Sequence, residues 1–207
     1  MTQAPSKLKP RKSPLQDRSR ATRDAVLEAA ARILEKEGRH AFTTNHIAEM
    51  AGISVGSLYQ YFPAKEAIVV VLIRRLRQEM LEDFRAAVCA SRNEDLAGAS
   101  RALVRASVLH HQRRPALAQM LEREEMTLPR DPETAELKQQ LRELIIGVLA
   151  GHGVADAATT AFDLVAMCHG IVEASVQLGE RDFDNICRRL DRAVLGYLQA
   201  SRPLHEQ

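Results

Sequence analysis

Ser57, Tyr59, Gln60 and Tyr61 crowd one short stretch of the run Thr43 to Glu66, TTNHIAEMAGISVGSLYQYFPAKE. Their hydroxyl and amide groups both donate and accept hydrogen bonds. Groups of this kind match base edges in a DNA major groove and the oxygens of phosphates. The chemistry they suggest is recognition, with no bond broken.

The residue types that break bonds are arranged less favourably. His110-His111 and Cys168-His169 are neighbours in helical segments, where adjacent side chains point about 100° apart and converge poorly on one ion. No H-E-x-x-H, G-x-S-x-G or paired C-x-x-C occurs. The expectation is a protein that is not an enzyme, holds no metal and uses no cofactor. His169, Glu173 and Gln177 recur at four-residue steps on an otherwise apolar helix, and buried polar groups need partners. They suit either hydrogen bonding across a subunit seam or polar contact with a ligand.

Two short helices and a turn must position the recognition groups. Thr43 or Thr44 can cap the first helix, because a hydroxyl there accepts from an unpaired backbone N–H. Ile47 and Ala51 share a face, and Gly52 supplies the left-handed residue that ends the helix. Ile53 plugs the turn and Ser54 caps the second helix. Leu58 and Phe62 face inward, and Phe62-Pro63 ends the helix. This leaves Val55, Gly56, Ser57, Tyr59, Gln60 and Tyr61 on an uncharged outer face. Capped helices joined by a short glycine-containing turn form a helix-turn-helix, here over 43–62. Ser57, Gln60 and Val55 are assigned to base edges. Thr43, Thr44, Tyr59, Tyr61 and Lys65 are assigned to phosphates, and Gly56 lets the backbone approach.

The pattern T-x-x-x-I-A-x-x-A-G-I-S-x-G-x-L-Y-x-Y-F-x-x-K-E resembles the DNA-binding domain of the tetracycline-repressor (TetR) family of transcriptional regulators. Thr43, Ile47, Ala48, Ala51, Gly52, Ile53, Ser54, Gly56, Leu58, Tyr59, Tyr61, Phe62, Lys65 and Glu66 carry the match. Tyr61 stands where many members carry His. The likeness is sharp over residues 20–80. It implies a phosphate contact at Lys65 and a dimer built by the last two helices.

The rest of the chain agrees with that setting. Net charge is +2 over 207 residues, but residues 1–66 carry eleven Lys and Arg against seven Asp and Glu, a balance of +4. The basic excess sits with the helix-turn-helix, as a polyanion requires. Cys89, Cys168 and Cys187 are scattered and read as buried thiols of a cytoplasmic protein. The N-terminus lacks an apolar core, and the longest apolar run, Ala67 to Ile73, is too short for a bilayer, so no membrane is expected.

The expected fold is all-α. Residues 1–17 read as a disordered basic arm, 18–66 as the helix-turn-helix domain, and 67–207 as a helical domain for effector binding and dimerisation. Helices are expected over 19–37 and from Pro63 to about Ala90, then near 94–112, 115–126, 132–150, 156–178 and 182–201. Ala157 to Leu178 is apolar almost all round, so it needs cover on several sides. Val172, Val176, Leu195 and Leu198 are assigned to a dimer seam. Phe84, His110, Leu117, Met120, Phe162, His169 and Glu173 are assigned to an effector pocket. Aromatics beyond residue 66 are few, which favours a mostly aliphatic small molecule. One helix-turn-helix reads too few base pairs, so two copies are expected on a palindromic double-stranded operator. The resulting expectation is a homodimeric repressor released by its effector, with an activator or an effector-free DNA-binding protein as alternatives.

Overall fold

The computed structural model describes residues 17–200, with side chains from Ser19 onward. The basic arm assigned to 1–17 therefore lies outside the described side chains. The described residues form α1 (Asp17–Lys36), a 3-10 turn (Arg39–Ala41), α2 (Thr44–Met50), α3 (Val55–Tyr61), α4 (Lys65–Ala90), α5 (Leu96–Arg113), α6 (Pro115–Thr127), α7 (Pro132–Gly151), α8 (Ala157–Gln177) and α9 (Phe183–Ala200). No strand occurs among them, and the fold is all-α. No helix among them is long and apolar enough to cross a membrane.

The helices start and stop where backbone chemistry directs. α6 and α7 open on Pro115 and Pro132, whose missing N–H costs nothing in a first turn. Asp95 and Asp156 cap α5 and α8 by accepting from the backbone of Gly98 and Thr159. α4 resolves its local conflict in favour of helix. The β-branched run Ala67 to Ile73 is buried throughout, and tertiary cover overrides its strand propensity.

Two compact units result. Among the described residues, the first contains 17–76 together with Ala116–Asp131, and the second contains Arg77–Pro115 and 132–200. The expected border was residue 66, and the whole of 67–207 was expected in one domain. Two ion pairs hold residues 116–131 within the first unit. Arg74 donates to Asp131 Oδ2 at 2.8 Å and Oδ1 at 2.5 Å, and Arg39 Nε donates to Glu124 Oε1 at 2.8 Å. These partners lie 57 and 85 residues apart, beyond the reach of any local pattern.

In the first unit, Val26, Leu27, Ala30 and Ile33 of α1 close on Phe42, Ile47, Leu58 and Phe62, each 0% exposed. In the second, Leu103, Val104 and Val108 of α5, Ile145 and Leu149 of α7, Leu164, Val172 and Val176 of α8, and Ile186, Leu190, Val194 and Leu198 of α9 form one core. Cys89 is exposed and Cys168 and Cys187 are half-buried, so the uniform burial expected of the thiols does not hold. Burial, with Asp191 adding to it, pushes the Cys168 thiol up to about 11.

Candidate nucleic-acid interface

α2, the turn and α3 are built as their residue types require. Thr43, at φ −119° and ψ 152°, is the N-cap of α2, and its hydroxyl accepts from the His46 N–H at 3.2 Å. At the far end Gly52 takes φ +69°, a conformation costly for any residue with a Cβ. Its N–H donates to Glu49 O and that of Ile53 to Ala48 O, both at 3.0 Å, closing the helix in a Schellman arrangement. Ser54 then caps α3 by accepting from the Ser57 N–H at 3.1 Å.

Leu58 and Phe62 anchor α3 from behind at 0% exposure. The groups assigned to DNA are thereby turned outward. Ser54, Gly56, Tyr59 and Gln60 are exposed, and Val55, Ser57 and Tyr61 are half-buried. Thr43 is exposed and Thr44 half-buried at the start of α2. The two helices meet through polar tips: Tyr59 Oη lies 3.4 Å from Thr44 Oγ1. The Ser54 and Ser57 hydroxyls lie 2.9 Å apart. Lys65 opens α4 and its Nζ reaches Phe42 O at 3.5 Å, beside the N-terminus of α2. The fold thus brings Thr43, Thr44, Tyr59 and Lys65 to one edge and Gly56, Ser57 and Gln60 to the exposed side of α3.

Gly56 is informative because the protein itself does not require it. A Cβ there would meet only Ser54 Oγ, at 3.9 Å, and helix propensity favours alanine by about 1 kcal/mol. The fold therefore gives no internal reason for a glycine at position 56.

His46 and Arg39 were missed by sequence reasoning. His46 sits in the first turn of α2, 3.3 Å from Glu37 Oε1. Arg39 stacks over the Phe42 ring at 5.4 Å while holding Glu124. A neutral amphipathic pattern carries no signal for such pairings.

The residues assigned to the effector pocket differ in burial. Phe84 and His110 are buried in the second unit, whereas Leu117 is buried and Met120 half-buried in the first. The His110 and His111 rings lie 4.2 Å apart, so adjacency on a helix does not keep them separate. Phe162, expected to face inward, is 64% exposed, and His169 is exposed too. His169 Nδ1 lies 3.8 Å from Glu173 Oε2, and Gln177 donates to Glu173 Oε1 at 3.0 Å. The polar ladder is thus satisfied along its own helix. Conversely, Val172, Val176 and Leu198, assigned to the dimer seam, are buried in the protomer's own core, and Leu195 is half-buried. On α8, a helix apolar almost all round, hydrophobicity alone does not fix which side turns inward, which accounts for the placements of Phe162 and Val172.

A capped helix-turn-helix with an uncharged outer face, carried on a helical body, defines a DNA-binding transcriptional regulator. A family model described as bacterial regulatory proteins, tetR family, matches residues 26–72, and one described as tetracyclin repressor-like, C-terminal domain, matches 95–198. The chain belongs to the TetR family, whose members are transcriptional regulators rather than enzymes. It is 29% identical over 192 residues to the HTH-type transcriptional regulator UidR of Escherichia coli (strain K12), covering 78% of this chain and 98% of that protein. Its fold matches SCO4454, a TetR-family transcriptional regulator from Streptomyces coelicolor, with a TM-score of 0.70 at 22% identity, covering 88% of this chain and 96% of that one. It also matches the fatty acid degradation regulator FadR from Bacillus halodurans, with a TM-score of 0.68 at 18% identity, covering 89% and 96%.

Proposed function

We propose that this regulator is a cytoplasmic homodimeric repressor that binds a palindromic operator and leaves it when a small molecule binds. The observation that carries the DNA reading is the outer face of α3. Gln60 and Ser57 are presented there without charge, and Gly56 leaves the backbone approachable for no reason internal to the fold. In this reading Gln60, Ser57 and Val55 address base edges, Thr43, Thr44, Tyr59, Tyr61 and Lys65 hold the phosphates, and Ser54 belongs to the same DNA-binding surface.

Dimerisation is supported by large apolar side chains left uncovered on α8 and at its end: Phe162, Val165 and Leu178 are 64%, 44% and 89% exposed. The effector reading rests on α4, a single helix of 26 residues that belongs to both units and can carry a displacement from one to the other. With Phe162 outward, the rings available inside the second unit are fewer still. This favours a mostly aliphatic ligand with one or two polar ends.

The test is footprinting on the DNA flanking the coding gene. Two protected half-sites related by inversion, lost on addition of an effector found by thermal-shift screening, are the expected result. Continuous protection without sequence preference favours the effector-free DNA-binding protein. Raised transcription on binding favours an activator.

A further inference from the structure

Adjacent side chains on a helix set out about 100° apart, yet the rings of His110 and His111 on α5 come together. Both residues are buried, at 5% and 3% exposure. Their ring centroids lie 4.2 Å apart, tilted by 41°. A ring nitrogen of one stands within 4.8 Å of a ring nitrogen of the other. The Nδ1 atoms of both rings are closed off from water. Both belong to the last turn of one helix in the second unit, so a short stretch of backbone fixes the pair.

Metal–imidazole bonds of about 2.0 Å let two nitrogens on one ion stand up to about 4 Å apart, so the pair needs a shift of about 1 Å or less. Rotation of the side chains supplies a shift of that size. The pair offers two nitrogens in a setting that shuts out water, and no negative charge. That donor set suits few ions. Zn2+ takes a tetrahedral set, Mg2+ and Ca2+ a larger shell of oxygens, and Cu(II) or Ni(II) a square one. Cu(I) is content with two nitrogens in a line, and imidazole is a good ligand for copper. The cost of burying an ion grows with the square of its charge, which favours a monovalent cation over a divalent one. Arg113 shares the same turn, but its charge is taken up by Asp83 of α4 in two hydrogen bonds, at 2.6 and 2.7 Å.

We propose that His110 and His111 bind one Cu(I) ion, with one nitrogen from each ring in a linear arrangement. The site lies within the second unit. It needs neither DNA nor a second copy of the chain, so it stands or falls apart from the regulatory reading.

The probe is Cu(I), added without oxygen to the full chain carrying Cys89→Ser, Cys168→Ser and Cys187→Ser, because thiolates also hold this ion. Competition with the chelator bicinchoninate is expected to show one equivalent bound per chain. X-ray absorption is expected to show two nitrogen neighbours at about 2.0 Å. His110→Gln and His111→Gln, with circular dichroism unchanged, should each weaken binding by more than the roughly tenfold that loss of an outer-shell partner costs a metal site. If the triple change unfolds the chain, the wild-type chain serves instead, and His110→Gln should remove one nitrogen-held equivalent from it. No bound equivalent, an affinity unmoved by both histidine changes, or four neighbours around the ion would overturn the assignment. So would Zn2+ displacing Cu(I) at equal concentration.

Discussion

Arg39 Nε donates to Glu124 Oε1 at 2.8 Å, joining the turn that precedes the helix-turn-helix to α6. The guanidinium also covers the ring of Phe42, itself 0% exposed. Glu124 is the more buried partner, at 15% side-chain exposure against 35% for Arg39. Glu124→Gln keeps the shape and removes the charge, so it should cost about 1 kcal/mol of stability. Urea denaturation measures it, and the loss should shrink in high salt. A salt-independent loss would assign the effect to packing alone.

Gly56→Ala separates fold from function. The protomer has room for the methyl, so the melting temperature should stay level or rise, by helix propensity of about 1 kcal/mol at most. DNA affinity should nevertheless fall at least tenfold, because the methyl occupies the approach path. Calorimetry and mobility-shift titration on the same preparation check the two halves. Unchanged affinity would place the DNA elsewhere than at the N-terminal turn of α3.

Gln60 and Lys65 should fail in different ways. Gln60→Ala should relax preference at one base position per half-site, by about 1–3 kcal/mol for a bidentate contact. Lys65→Ala should weaken all sequences alike and lower the salt slope by about one unit per half-site. Both are read from binding to operator variants across a salt series.

His152 gives a pH signature. Its Nδ1 lies 2.8 Å from Val148 O and its Nε2 3.2 Å from Glu94 O. Carbonyl oxygens only accept, so both ring nitrogens must donate, which requires the imidazolium. Those two carbonyls, the Val148 one foremost, raise the pKa above 6.5; desolvation opposes them and the Asp95 carboxylate assists. A folded pKa above the unfolded value means stabilisation fully present below about pH 6.5, lost as pH rises through the folded pKa. The melting temperature of wild type should therefore exceed that of His152→Ala at pH 5.5, with the gap closing above neutrality. A gap that persists unchanged at pH 9 would show that the ring acts by shape rather than charge.

The first unit was more legible in the sequence than the second, for a physical reason. Thr43, Gly52, Ser54 and Pro63 act on the backbone within a few residues of themselves, and the helix boundaries follow from them. Leu58 and Phe62 have one apolar face to turn, so Gln60 and Gly56 could only point out. α8 offers no such asymmetry: Phe162 and Val172 are both apolar, and one is exposed while the other lies in the core. Which side of it is left outward depends on how α5, α7 and α9 pack against it. Arg39 and Glu124 show a further limit, since neither carries a local mark of a partner 85 residues away.

The central claim is sequence-specific recognition through the outer face of α3, and one ratio tests it most directly. Affinity for the palindrome found by footprinting is compared with affinity for a scrambled duplex of equal length, at one salt concentration. The account predicts a ratio of about a thousandfold or more, collapsing toward unity when Ser57 and Gln60 are both changed to Ala while circular dichroism is unchanged. Equal affinity for the two duplexes, or a ratio untouched by the double change, would contradict it.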